Sequence, residues 1–169
     1  DVLRMDGFFR QGEVEVNGIM DVVAGHLDVV DCPLDFVELT TMHKRLMAGD
    51  AADVHELEFD EYRDGYRRHM VSQIELGREQ SSEDYKEALD YQKTQRQAVS
   101  TWLRKDQVLV MPATTSSPPG METTGNPLFN SPWSFLGLPA LSVPKSLSKE
   151  GFPLCVQFVG HTVQAVVSA

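Results

Sequence analysis

VLRMDGFFRQGEVEVNGIMDVVAGHLDVVDC (residues 2–32) carries the pattern that decides the fold. Val2-Leu3-Arg4-Met5 is a short β-type run, and the region from Gly7 to Gly12 breaks it. Val16, Ile19, Met20, Val23 and Leu27 then recur at three- and four-residue steps, which places them on one face of a helix. Gly25 is positioned to end that helix in the left-handed conformation, where the lack of a Cβ removes the steric penalty. Leu27-Asp28-Val29-Val30-Asp31-Cys32, closed by Pro33, reads as a second strand. Strand, helix and strand in this order predict parallel strands with the helix across one face, and hence an α/β architecture.

Three helical patterns follow, each repeating at three or four residues: Phe36, Leu39, His43, Leu46, Met47 and Val54; then Tyr62, Tyr66, Met70 and Ile74; then Tyr85 through Leu103. Ser81 supplies an N-cap oxygen for the third, with Glu83 and Asp84 in the first turn complementing the helix dipole. Val108-Leu109-Val110-Met111 is a buried strand stopped by Pro112, and a long loop runs from Ala113 to Asn126. A short helix fits Asn130 to Leu136. Two more strands, Ala140–Val143 and Leu154–Val159, are bounded by Pro139, Pro144, Gly151, Pro153 and Gly160.

Charge and proline divide the chain. Residues 1–111 hold 13 basic and 23 acidic groups, whereas residues 112–169 hold two of each and eight of the nine prolines. The second part has too few helices to cover its own strands, so residues 1–169 are expected to form a single unit. A chain of 169 residues fits one domain and buries about two-thirds of its unfolded surface. Its net charge of -10 repels polyanions, which argues against a nucleic-acid partner. No apolar stretch reaches the ~18 residues of a bilayer helix, and Asp1-Val2-Leu3-Arg4 lacks the layout of a signal peptide. Cys32 and Cys155 are too few for a disulfide framework, which favours a reducing, cytoplasmic address while leaving a single bridge open.

Most chemical motifs are missing. The five histidines include no pair at four-residue spacing, and neither cysteine has a CxxC partner, so no metal site is expected. Asp60-Glu61-Tyr62-Arg63-Asp64-Gly65 starts like a calcium loop, but Val71 stands where the bidentate Glu belongs. Glycine spacing supplies no phosphate cradle. Glu56, Glu58, Asp60 and Glu61 read as hydrated acids at a helix junction. Ser116 and Ser117 follow a strand, where nucleophiles often sit; yet Pro118 and Pro119 remove two oxyanion N–H donors and no G-x-S-x-G elbow exists. Both read as loop residues, and an independent serine hydrolase built on them is the weakest reading.

One ordered set of segments is more telling: Val108–Thr114, then Thr124-Gly125-Asn126-Pro127-Leu128-Phe129-Asn130-Ser131-Pro132-Trp133-Ser134, then Gly137-Leu138-Pro139-Ala140-Leu141-Ser142-Val143-Pro144, then Gly151-Phe152-Pro153-Leu154-Cys155-Val156-Gln157-Phe158-Val159-Gly160. Together they resemble the C-terminal part of the amidase signature family, with a weaker resemblance reaching upstream to about Val2. That resemblance implies an α/β/α sandwich around a mixed sheet with several flanking helices. It also implies hydrolysis of carboxylic amides, or transamidation, through a serine, cis-serine, lysine triad, with no cofactor. Family members carry the triad on segments that precede the matched region, including a Gly/Ser-rich stretch of which residues 1–169 hold none. The chain is therefore expected to be a C-terminal fragment with no catalytic residues, inactive alone, whose partner is the missing N-terminal half. A small amide is the expected substrate of the intact protein, and a homodimer is compatible with the pattern.

By the same resemblance Thr124, Gly125, Asn126, Phe129, Asn130 and Trp133 line the acyl pocket. Asn126-Pro127 also fits an ordinary turn, and Trp133 an ordinary core residue. Lys44, Lys86, Lys93 and Lys105 fall on polar helical faces, and Lys145 and Lys149 in a loop, where water keeps a lysine charged and unfit as a base. Where the family shows a small residue and glycine, this chain has Lys145-Ser146. After Gly160 the family usually continues into a helix with an acid near its start, which His161–Val167 lacks. The competing reading is a non-catalytic, degenerate relative or helical interaction module.

Overall fold

The computed structural model describes residues 1–5 and 10–169. The segment between β1 and the first helix that contains Gly7 lies partly outside the described residues. Strand β1 (Val2–Leu3) is followed by α1 (Val14–Ala24), α2 (Phe36–Val54), α3 (Phe59–Tyr62), α4 (Arg68–Glu79) and α5 (Ser82–Trp102). Then come β2 (Val108–Pro112), α6 (Ser131–Leu136), β3 (Ala140–Leu147), β4 (Pro153–Gly160) and α7 (Val163–Val167). Residue contacts gather into two compact units, Asp1–Leu34 with Gln97–Ala169, and Asp35–Arg96.

The first unit holds a mixed sheet in the order β1-β2-β4-β3. β1 and β2 are parallel, and the other two pairings are antiparallel. Leu109, Met111 and Val159 are fully buried at its centre, because β2 and β4 are each flanked on both sides. Helix α1 packs on β2 through the stripe Val16, Met20 and Ala24, one position out of phase with the expected Val23 and Leu27 at its end. The strand expected over Leu27–Cys32 is reduced to one parallel bridge between Arg4 and Val29, flanked by Arg4 N donating to Asp28 O and Val30 N to Arg4 O. Its parallel sense is the one the strand–helix–strand order predicts.

Gly25 departs from expectation. Its φ of -61° is right-handed, and an added Cβ would lie 2.5 Å from the Asp21 carbonyl oxygen. Here glycine serves close approach rather than left-handed closure. The left-handed helix end occurs instead at Gly137 (φ 71°), where Leu138 N donates to Trp133 O and Gly137 N to Ser134 O, satisfying the last carbonyls of α6. Strand β3 also runs four residues beyond Val143, its expected last residue before Pro144. On an edge strand the missing proline N–H faces away from the partner and costs no ladder bond. Lys145 accordingly sits at a bulge within β3 rather than in a loop.

In the second unit, α2 packs against α4. Asp35 caps α2, its carboxylate accepting from Val37 N and Glu38 N at 3.0 Å each. The second helical pattern is split: α3 passes into a 3-10 turn at Arg63–Gly65, and α4 restarts at Arg68. Gly77 lets the backbones meet, since a Cβ there would stand 1.9 Å from the Ala48 carbonyl oxygen. Ser81 opens α5 as expected, its Oγ accepting from Asp84 N (3.1 Å) and donating to the Asp84 carboxylate (2.6 Å). Lys105 lies three residues past the end of α5, exposed, and not on its face.

Candidate functional site

The end of β2 and the loop after it are held by two side-chain amides. Gln157, on β4 and 1% exposed, donates from Nε2 to the carbonyls of Phe129 and Pro112, the latter at 3.4 Å. Asn130 Nδ2 donates to Ala113 O at 3.2 Å. Carbonyls at the end of a strand need donors when the ladder stops, and these amides supply them while tying residues 127–130 beside residues 112–113. Backbone bonds complete the frame: Asn130 N and Ser131 N both donate to Pro127 O at 2.8 Å, and Glu13 N donates to Thr115 O at 2.7 Å.

The six pocket candidates divide into two groups. Phe129 and Trp133 are 0% and 1% exposed, so both are core side chains in this chain. Thr124, Asn126 and Asn130 are exposed and Gly125 is half-buried. Gly125 has φ 84°, a left-handed value that demands glycine, and Asn126 Oδ1 accepts from Leu128 N at 3.0 Å. The TGNP sequence is thus a turn that aims the chain into α6, with the exposed members on its outer side. Gln157 escaped the sequence-based candidates, although a lone amide in an otherwise apolar β4 was the available signal.

Ser116 Oγ donates to the carbonyl of neighbouring Ser117 at 2.9 Å, and Thr114 Oγ1 donates to Ser116 O, which is loop closure. All six lysines are exposed. Among the described residues, no group of three or more His, Cys, Asp and Glu side chains is placed to hold a metal ion. His55 Nδ1 is bonded to Tyr66 OH at 2.9 Å, and His161 Nε2 to Leu103 O at 2.6 Å. Asp60 and Glu75, near the calcium-like stretch, are used by Arg78 (2.7 Å) and Arg63 (2.5 Å).

Both thiols are free. Burial pushes Cys32 up to about 11, with a smaller opposing effect from the Leu34 backbone, so it is a protonated thiol at neutral pH. Burial also lowers His43 below its ordinary value. Two open clefts are bordered by Asp1, Lys105, Thr162 and Ala169, and by Asp53, Glu56, Asp60 and Arg78. Neither includes any of the pocket candidates.

Nearly the whole chain superimposes on part of several solved amide hydrolases. One, described as an amidase, is 22% identical with a TM-score of 0.80, covering 97% of this chain and 42% of its own. The fold is the one amidase-signature enzymes carry. A bacterial aryl acylamidase of the amidase signature family is 14% identical (TM-score 0.72), covering 99% of this chain and 41% of that one. Fatty acid amide hydrolase is 12% identical (TM-score 0.71), covering 97% and 37%. This chain therefore spans about two-fifths of the length of these amidase-signature enzymes. The sequence matches no family model and no curated protein. Among the described residues, no helix is long and apolar enough to cross a membrane.

Proposed function

We propose that this chain is the C-terminal portion of an amidase-signature hydrolase and supplies the wall of its acyl pocket. In the intact enzyme, a carboxylic amide is cleaved to carboxylate and ammonia by a serine, cis-serine, lysine mechanism whose three residues lie outside residues 1–169. The observation that carries this reading is the pinned loop. Gln157 and Asn130 fix residues 127–130 beside the end of β2, in a fold shared with amide hydrolases more than twice as long. A surface that must fit an acyl group needs such preorganisation, because a loose wall loses the positioning that binding provides. Thr124, Gly125, Asn126 and Asn130 would contact the acyl group, with Phe129 and Trp133 setting the floor beneath them. Residues 1–169 act as a single unit, and the free thiols of Cys32 and Cys155 suit a reducing, cytoplasmic setting.

Incubating the purified chain with simple aliphatic and aryl amides and assaying ammonia tests this reading. No release is expected. Turnover by the chain alone would overturn the proposal, most sharply if it survived Ser116→Ala and Ser117→Ala together. A non-catalytic interaction module is the second reading, favoured by the compactness of Asp35–Arg96 on its own. Such a module would be monodisperse alone, whereas a pocket wall should bind an apolar dye at its uncovered surfaces.

A further inference from the structure

Asn17-Gly18 lies inside α1, and packing does not account for its glycine. A Cβ added to Gly18 would meet no heavy atom within 4 Å, so alanine would fit there and would favour the helix more strongly. The asparagine beside it is heavily used. Asn17 Nδ2 donates to Gly12 O at 2.7 Å and to Arg10 O at 3.2 Å, and its Oδ1 accepts from Gly12 N at 3.2 Å. Glu13, the N-cap residue, makes no side-chain cap, so the Asn17 amide closes the start of α1 in its place. Glu13 N in turn donates to Thr115 O at 2.7 Å, and the segment that Asn17 holds is therefore the one that ties α1 to the loop after β2. The chain has two other asparagines. Asn126 precedes Pro127, which has no N–H, and Asn130 precedes Ser131, whose Cβ crowds the backbone nitrogen.

We propose that Asn17 is a site of spontaneous deamidation, and that its conversion unlatches the start of α1 from the loop after β2. In a locally opened turn the Gly18 backbone nitrogen loses its proton and attacks Asn17 Cγ. The new N–Cγ bond forms, the Cγ–Nδ2 bond breaks, and ammonia leaves with the proton. Water then opens the cyclic imide at either carbonyl, so one amide and one water become one carboxylate, as aspartate or isoaspartate, and one ammonia. Gly18 favours this step twice, because a missing Cβ leaves the nitrogen uncrowded and a weak helix former raises the population of the opened turn. The helix and the three side-chain bonds oppose it, so opening sets the rate. The product cannot restore the latch. A carboxylate has no N–H for Arg10 O or Gly12 O and turns negative oxygens towards them. Isoaspartate also adds a methylene to the backbone of α1, which breaks the regular spacing of its hydrogen bonds. None of these steps depends on the pocket-wall reading.

The test incubates the 169-residue chain in mildly alkaline buffer with no added amide, following Asn17 by peptide mass spectrometry, backbone exchange by NMR, and free ammonia. A gain of about 1 Da at Asn17, divided between aspartate and isoaspartate, should appear with about one equivalent of ammonia per chain, while Asn126 and Asn130 keep their amides. The native chain should convert about tenfold more slowly than the denaturant-unfolded chain. Gly18→Ala should slow native conversion at least about tenfold and raise the melting temperature. Both the converted chain and Asn17→Asp should exchange the Glu13 N–H about tenfold faster than the parent. An Asn17 amide still intact after about thirty half-lives of the unfolded chain, earlier conversion at Asn130, or equal rates in Gly18→Ala and the parent would each overturn the site. Conversion that leaves Glu13 exchange unchanged keeps the site and overturns the latch. Ammonia that instead scales with added amide overturns the pocket-wall reading and leaves the deamidation site standing, so the two fail separately.

Discussion

In the sheet-bearing unit, Leu109, Met111, Val159, Phe129 and Trp133 are almost wholly buried, and side-chain amides serve the carbonyls where the ladder ends. In Asp35–Arg96 the interior is a thinner seam of Leu39, Met42, Leu46, Phe59 and Ile74, and the surface is laced with exposed ion pairs such as Arg45–Glu87 and Arg78–Asp60. Arg78 also lies over the Phe59 ring at 4.7 Å. The contrast follows from composition. A charged segment with helical periodicity closes around one apolar stripe, whereas an apolar, proline-rich segment buries the central strands of its sheet and leaves β3 exposed at the edge.

Four measurements would break or sharpen that contrast. The helical unit is expected to hang on one backbone contact, so Gly77→Ala, which drives a methyl into the Ala48 carbonyl, should cost about 3 kcal/mol in chemical denaturation. A smaller loss would mean that α2 and α4 can slide apart. In the sheet-bearing unit, Gln157→Leu should cost about 2 kcal/mol by leaving the Phe129 and Pro112 carbonyls without their donor. Faster hydrogen exchange confined to residues 112–131 should accompany it.

Cys32 gives the third test. Its folded value lies near 11 against an ordinary 9.0, so the unfolded state loses its proton first as pH rises. Stability from this group is full below pH 9 and is lost between about 9 and 11, and Cys32→Ala should flatten that slope in thermal melts. At neutral pH, iodoacetamide should modify native Cys32 on the order of a hundredfold more slowly than the unfolded chain, from the smaller thiolate fraction. The smallest effect belongs to the ion pairs. Arg45→Ala should shift stability by no more than about 0.5 kcal/mol, because its partner Glu87 is 61% exposed and solvent screens the pair.

Much of this was legible along the chain. The 3.6-residue period gave α2 and α5, the Ser81–Asp84 cap was visible in residue order, and apolar runs between prolines and glycines located β2 and β4. The ordered TGNP, PWS and GLPALSVP segments marked the amidase-signature fold. What escaped was anything dependent on a distant neighbour: the reduction of Leu27–Cys32 to one bridge, the persistence of β3 past Pro144, and the use of Gln157 as a clamp.

Sequence alone determined which residues seek the interior, where helices start, and that the chain mixes helices with strands, because these follow from side-chain period and local backbone chemistry. Only tertiary structure decided that Gly25 serves close approach, that Phe129 and Trp133 are core, and that Ala140–Val143 faces outward. Each of those depends on which atoms lie across a gap from residues far away in the chain, and no local pattern encodes such a neighbour.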